Sequence, residues 1–219
     1  SALIETASTR ILIDCGPDFR MQMLAQPFRK IDAVLLTHIH YDHVGGIDDL
    51  RPFCRFGDIN IYSNTDVVNG LKHNMPYCFP EKGDLYPGVP KLILHEIKPH
   101  VGFSIGDIDV MPITVMHDKL PILGYRIGKL AYITDMKNIE GKELEYLSGI
   151  SVLVINALRW KREHHSHQLV DDAISFARKL GVKRVFLIHM THEIGLHAKA
   201  NLLLPSGIQF GFDGETIIV

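Results

Sequence analysis

The sequence predicts a layered α/β fold: two β-sheets with helices packed outside them, in a single domain over residues 1–219. Three observations carry that reading. Short β-branched, apolar runs punctuated by Gly, Pro, Asn and Asp recur as far as Asp135. Beyond that point the rhythm changes, with helical periodicity interleaved between buried strands. The length of 219 residues, with 46% hydrophobic and 22% charged side chains, suits one well-buried domain.

Taken in order, "RILIDCG", "AVLLTH", "INIYSN", "KLILHEI" and "IDVMPITVMH" read as strands. "LGYRI" and "LAYITD" follow, joined by a hairpin turning at Gly128 and Lys129. "SVLVINAL" is a buried strand. Gln168 to Leu180 places Leu169, Ala173, Ile174, Ala177 and Leu180 on one helical face, and Gly181 stops that helix. "VKRVFLIH" is another strand, "HEIGLHAKANLLL" reads as a helix, and "IQFGFDGETIIV" as a closing hairpin around Asp213 and Gly214.

A formal charge of -2 gives no electrostatic footprint for a large nucleic acid or a membrane surface. No apolar run approaches the roughly 20 residues that span a bilayer. The opening "SALIETASTR" lacks the basic-then-apolar design of a signal peptide, so the expected compartment is the cytoplasm. Cys15, Cys54 and Cys78 are odd in number and widely spaced, which implies reduced thiols with Cys15 in the core. The unusual quantity is histidine, of which there are thirteen. Such an excess points to a metal or proton-transfer site.

"LLTHIHYDHVGG" locates it. His38, His40, Asp42 and His43 follow an aliphatic strand, on the loop and first helical turn, where a strand end can aim several side chains at one point. His38 and His40 can share one metal while Asp42 and His43 address a second, and Gly45 and Gly46 permit the close turn. Imidazole nitrogen and carboxylate oxygen suit zinc, with manganese or iron as competitors. A surface cluster of histidines without a metal is the bland alternative, and the T-H-x-H-x-D-H-x-G-G spacing is too specific for it.

The stretch resembles the signature of the metallo-β-lactamase-fold hydrolases, H-x-H-x-D-H after a strand. The resemblance runs down the chain: "PITVMHD" offers His117, "LAYITD" offers Asp135, and "VFLIH" offers His189, each at a strand end. It implies an αββα sandwich holding two divalent ions, Zn²⁺ ahead of Mn²⁺. His38, His40 and His117 would hold one, Asp42, His43 and His189 the other, and Asp135 would bridge them. A hydroxide between the ions would be the nucleophile, since bound water ionises near neutral pH, with a pKa of about 7. His192 competes with His189 but sits past the strand end. Asp14, ending "ILID", would either orient a ligating imidazole or simply form a turn.

Within that fold, "HHSHQLVDDAISFA", "HDKLPILGYRIGKLAYITD" and "ILIDCGPDFR" resemble the phosphodiesterase branch that contains the PhnP-like enzymes and RNase Z. There a histidine before the penultimate helix donates a proton to the leaving alkoxide, and His167 matches it, so His167 joins Asp42 in the catalytic set. Ser166 could equally cap the helix, and His164 and His165 read as exposed loop residues. The short interval from His117 to Asp135 leaves no room for a long tRNA-gripping arm, which argues against tRNA 3′-end processing. "RWKRE", from Arg159, reads as a solvated loop.

The expected activity is therefore metal-dependent hydrolysis of a small, cyclic-ribose-like phosphodiester, by an enzyme that relatives suggest is a homodimer. Thioester or lactone hydrolysis is the first alternative, and a non-catalytic metal-binding domain the second. Tyr77, Phe79, Tyr86 and the loop Arg51 to Phe56 would line the substrate side or pack in the core. The relatives that the resemblance implies open with an earlier strand and glycine-rich turn, and this sequence begins later in that pattern.

Overall fold

The structure, a computed structural model, describes residues 1–80 and 87–219. Tyr86 lies outside the described residues. The chain falls into two compact units, Ser1–Asp109 and Val110–Val219.

In the first unit, β1 (Ala2–Glu5), β2 (Arg10–Ile13), β3 (Ala33–Leu35), β4 (Ile59–Ser63) and β5 (Leu92–Glu96) form one sheet in sequence order. β1 runs antiparallel to β2 and the others pair parallel. Such β-branched runs suit a buried parallel sheet, and β2 and β3 are buried along their whole length. Two helices flank the sheet: α1 (Phe19–Leu24) and α3 (Thr65–Asn74), with the single turn α2 (Tyr41–Val44) between them. Asn64 caps α3 by accepting from Val67 N at 3.0 Å. Leu12, Phe19, Val34, Leu36, Ile47, Leu50, Ile61 and Leu71 make this unit's core. β6 (Phe103–Ile105) is the last strand before the unit boundary and is not part of this sheet.

The second unit carries β7 (Ile108–His117, beginning at the boundary), β8 (Leu120–Ile127), β9 (Leu130–Ile133), β10 (Val152–Asn156), β11 (Arg184–Ile188) and β12 (Ile208–Phe210). The strand order is β12-β11-β10-β9-β8-β7-β6. β7, β8 and β9 form the antiparallel meander, with the β8–β9 turn at Gly128, φ 55°, as the sequence requires. β9 through β12 pair parallel. α4 (Val170–Leu180) buries Val170, Ala173, Ile174 and Ala177 and ends at Gly181, φ 71°. It starts two residues later than predicted, because Leu169 is its N-cap and Asp172 accepts from Leu169 N at 2.9 Å. Ile113, Ile133, Leu153, Ile155 and Leu187 centre the core on which it packs.

Two expectations fail. "HEIGLHAKANLLL" is no continuous helix: a 3₁₀ turn at His192–Ile194 breaks at Gly195, φ 88°, before the short α5 (His197–Asn201). The C-terminal hairpin is absent as well; β12 pairs parallel with β11 instead of with the residues after Gly214. Among the described residues no helix is long and apolar enough to cross a membrane.

Candidate functional site

Each unit contributes one set of candidate ligands. In the first, β3 delivers Thr37 and His38 buried, and α2 begins immediately after His40. His43 N donates to His40 O at 3.0 Å, which closes the turn and places His40, Asp42 and His43 within one helical turn. His38 Nε2 and His40 Nδ1 lie 3.0 Å apart, and His43 Nε2 and Asp42 Oδ2 3.3 Å apart. Tetrahedral zinc, with bonds of about 2.0–2.1 Å, separates neighbouring ligand atoms by roughly 3.3 Å.

Asp14 organises this set. It follows β2 with φ 54°, is 2% exposed, and accepts from Thr37 N and from the Thr37 hydroxyl. Its Oδ2 takes the Nδ1 proton of His43 at 2.8 Å. The Thr37 hydroxyl, having given its proton to Asp14, accepts from His38 Nδ1 at 3.0 Å. Both rings thus carry the proton on Nδ1 and the lone pair on Nε2, the tautomer that a metal ligand needs. Asp14 is the orienting acceptor rather than a turn residue alone. Thr37 was missed in the sequence, although it opens the T-H-x-H motif.

In the second unit, His117 ends β7, and its Nδ1 donates to Asp135 O at 2.8 Å and Ser166 O at 3.1 Å. That leaves its Nε2 as the nitrogen with the lone pair a metal ligand needs. Asp135 (φ 53°) and His189 (φ 57°) stand just past β9 and β11. Left-handed backbone costs a non-glycine residue about 1–2 kcal/mol, so three such positions, with Asp14, mark strained strand ends held by their surroundings. Asp135 Oδ2 lies 3.3 Å from His189 Nε2 and 3.2 Å from His167 Nε2. The ligand atoms of His117, Asp135 and His167 all fall within 4.8 Å of one another.

His167 is buried, its ring stacked on that of His189 at 4.9 Å and 14°. Ser166 Oγ and His164 Nδ1 lie 3.0 and 3.1 Å from its Nδ1. Ser166 is no helix cap, and His164, expected on an exposed loop, is half-buried against His167. Burial, together with the neighbouring His167, His165 and Arg159, pushes the His164 imidazolium below its usual range. His165 is exposed as expected.

His192 is exposed and, among the described residues, joins none of the candidate ligand groups. Arg159 corrects the solvated-loop reading: it is 8% exposed and donates to Arg162 O, Glu163 O and Glu193 Oε1. Tyr77, near half-exposed, donates to Asp48, while Phe79 packs against the first core.

The donor set, with the His38, His43 and His117 rings oriented through Nδ1 and carboxylate oxygens beside them, fits divalent metal. The profile of the Beta-lactamase superfamily domain matches residues 9–190. The chain belongs to the metallo-β-lactamase superfamily. A solved diphosphatase of the PhnP family matches it at 33% identity and a TM-score of 0.89, over 99% of this chain and 83% of that one. An octanoyltransferase of Porphyromonas gingivalis is 43% identical over 217 residues, 99% of this chain but 44% of that protein. The chain thus spans less than half of that relative. A ribonuclease Z of Bradyrhizobium diazoefficiens is 43% identical over 68 residues, 30% of this chain and 21% of its own length.

Proposed function

We propose that the chain hydrolyses phosphorus–oxygen bonds in a small phosphodiester with divalent metal held by its candidate ligands. The ligands are His38, His40, Asp42, His43, His117, Asp135 and His189. Two divalent ions, zinc ahead of manganese, would supply an activated water and neutralise charge on the reacting phosphate.

The observation that carries the phosphodiester reading is His167: a buried imidazole with Nε2 at 3.2 Å from Asp135, where attack on a carbonyl would leave it idle. An alkoxide leaves poorly at neutral pH, so a proton donor has a task there. The Nε2 proton of His167 passes to the departing oxygen as its bond to phosphorus breaks. The electron pair of that bond stays on oxygen, and the imidazole keeps a lone pair on Nε2. The PhnP-family diphosphatase supports phosphorus chemistry, because its similarity covers nearly the whole chain.

Hydrolysis of bis(p-nitrophenyl) phosphate, then of cyclic ribose phosphates, by protein loaded with a counted amount of zinc or manganese tests this. Metal-dependent turnover of both is expected. Turnover of thioesters or lactones with none of the diesters would overturn it.

That second reading has one observation in its favour, the octanoyltransferase relative, whose name denotes acyl transfer. More than half of that protein lies outside the matched region, so its acyl transfer need not reside in the part that resembles this chain.

A further inference from the structure

We propose that His164, with the Ser166 hydroxyl, is a positioning residue that fixes the ring of His167 for proton delivery; its catalytic consequence rests on the phosphodiesterase reading. Both nitrogens of His167 are engaged. Nε2 faces Asp135 Oδ2 at 3.2 Å, while Nδ1 faces His164 Nδ1 at 3.1 Å and Ser166 Oγ at 3.0 Å. Turning the ring over would put carbon where each nitrogen now stands and lose all three contacts.

The hydroxyl suits the task because it both donates and accepts. Ser166 Oγ reaches His164 Nδ1 as well, at 3.3 Å, so the three groups close a small triangle on one side of His167. The ring of His189 stacks on His167, and that of His165 packs against His164 at 4.5 Å.

Ser166 also ties the triangle to the ligands. Its main-chain carbonyl accepts from His117 Nδ1 at 3.1 Å while its side chain holds His167. The segment carrying these groups is anchored at both ends. Leu158 N donates to Gln168 O at 3.1 Å and Gln168 N to Met136 O at 3.2 Å, and the buried Arg159 grips the carbonyls of Arg162 and Glu163. Within so fixed a loop, the His164 side chain is the part that decides where Nδ1 of His167 points.

The test compares the metal-loaded wild type with His164→Ala, His164→Asn and Ser166→Ala. Asn keeps a polar group near the former Nδ1. Ser166→Ala keeps the carbonyl on His117. Metal content should stay at the wild-type level in all three. For His164→Ala, kcat on a diester with an alkyl leaving group should fall about tenfold more than on bis(p-nitrophenyl) phosphate, whose leaving group needs no proton. His164→Asn should recover part of that difference. Long-range ¹⁵N–¹H spectra of histidine-labelled protein give a readout independent of turnover, and the His167 Nδ1 resonance should move in His164→Ala. Equal losses on both substrates, or an unmoved His167 resonance, overturn the proposal. If the wild type turns over neither diester, the phosphodiesterase reading falls, and the resonance alone decides the positioning role.

Discussion

The Asp14 carboxylate accepts the Nδ1 proton of His43 at 2.8 Å and, through the Thr37 hydroxyl, holds His38 as well. One buried carboxylate therefore orients two candidate ligand rings. Removing such an orienting partner typically costs about 10–100-fold in metal affinity. Asp14→Ala should lose affinity in that range, measured by competition with a chromophoric chelator. It should also lose thermal stability, because alanine tolerates φ 54° less well than aspartate. Asp14→Asn keeps the tolerated backbone and loses the charge. Its affinity should fall with little change in Tm, which separates orientation from folding.

His167 is assigned proton donation, yet it also falls within ligand distance of His117 and Asp135. The two roles predict different losses. If it donates a proton, His167→Ala retains its metal stoichiometry by elemental analysis, and kcat on an unactivated diester drops about 10²–10⁴-fold. A drop in bound metal would instead make His167 a ligand.

Much of the candidate site was legible because its chemistry is local. H-x-H-x-D-H sits on one turn, and His117, Asp135 and His189 each stand where an apolar strand run stops. The support around those residues was less legible. That Asp14 could orient a ring was readable from its strand end, but that the ring is His43, relayed to His38 through Thr37, depends on β2 and β3 pairing in register, Ile13 against Leu35. His164 looked exposed because nothing in "EHHSHQ" reveals that Arg159 folds the loop back. Helix α3 escaped notice because Val67, Val68 and Gly70 weaken its local preference, which the Asn64 cap and burial of Leu71 override. The terminal hairpin was mispredicted for the converse reason. Asp213-Gly214 is a good turn signal, but β12 takes its partner from β11, and no local pattern records that pairing.

Backbone approach around α2 sets a second constraint. Gly46 N donates to Cys15 O at 2.8 Å and Cys15 N to His43 O at 2.7 Å, so the turn after β2 lies directly on the ligand loop. A Cβ at Gly46 would meet Gly16 O at 2.2 Å and Phe19 Cβ at 2.9 Å; one at Gly16 would meet Asp42 O at 2.4 Å. None of these three atoms is a flexible side-chain tip. Gly46→Ala and Gly16→Ala should each cost about 1–3 kcal/mol in denaturant unfolding, the usual penalty of overpacking. Gly141→Ala, with nothing near its Cβ, serves as the control that stays close to wild type.

The thiols offer a check on packing. Burial raises Cys15 well above the usual thiol range and Cys78 to about 11, and raises Cys54, which is half-buried, as well. A raised pKa means less thiolate, the reactive form. Native protein at pH 8 should therefore react slowly with iodoacetamide, Cys54 first, Cys15 only on unfolding. Peptide mass mapping over time gives the order, and early labelling of Cys15 would contradict its place in the core.

A last expectation concerns acid. Asp107 is lowered to about 2 by the hydroxyls of Thr9, Thr6 and Ser8, with Thr6 Oγ1 donating to its carboxylate at 2.8 Å. A carboxylate with a depressed folded-state value adds stability above its unfolded value of about 3.9 and loses it as pH falls through the folded value. The contribution is screened, because the side chain faces solvent. Asp107→Asn should thus lower Tm at pH 7, and the gap to wild type should narrow steadily between pH 4 and pH 2. A gap that persisted unchanged at pH 2 would assign the effect to lost packing of the Thr6–Thr9 turn instead of to the charge, because at that pH about half of the wild-type carboxylate would already be protonated.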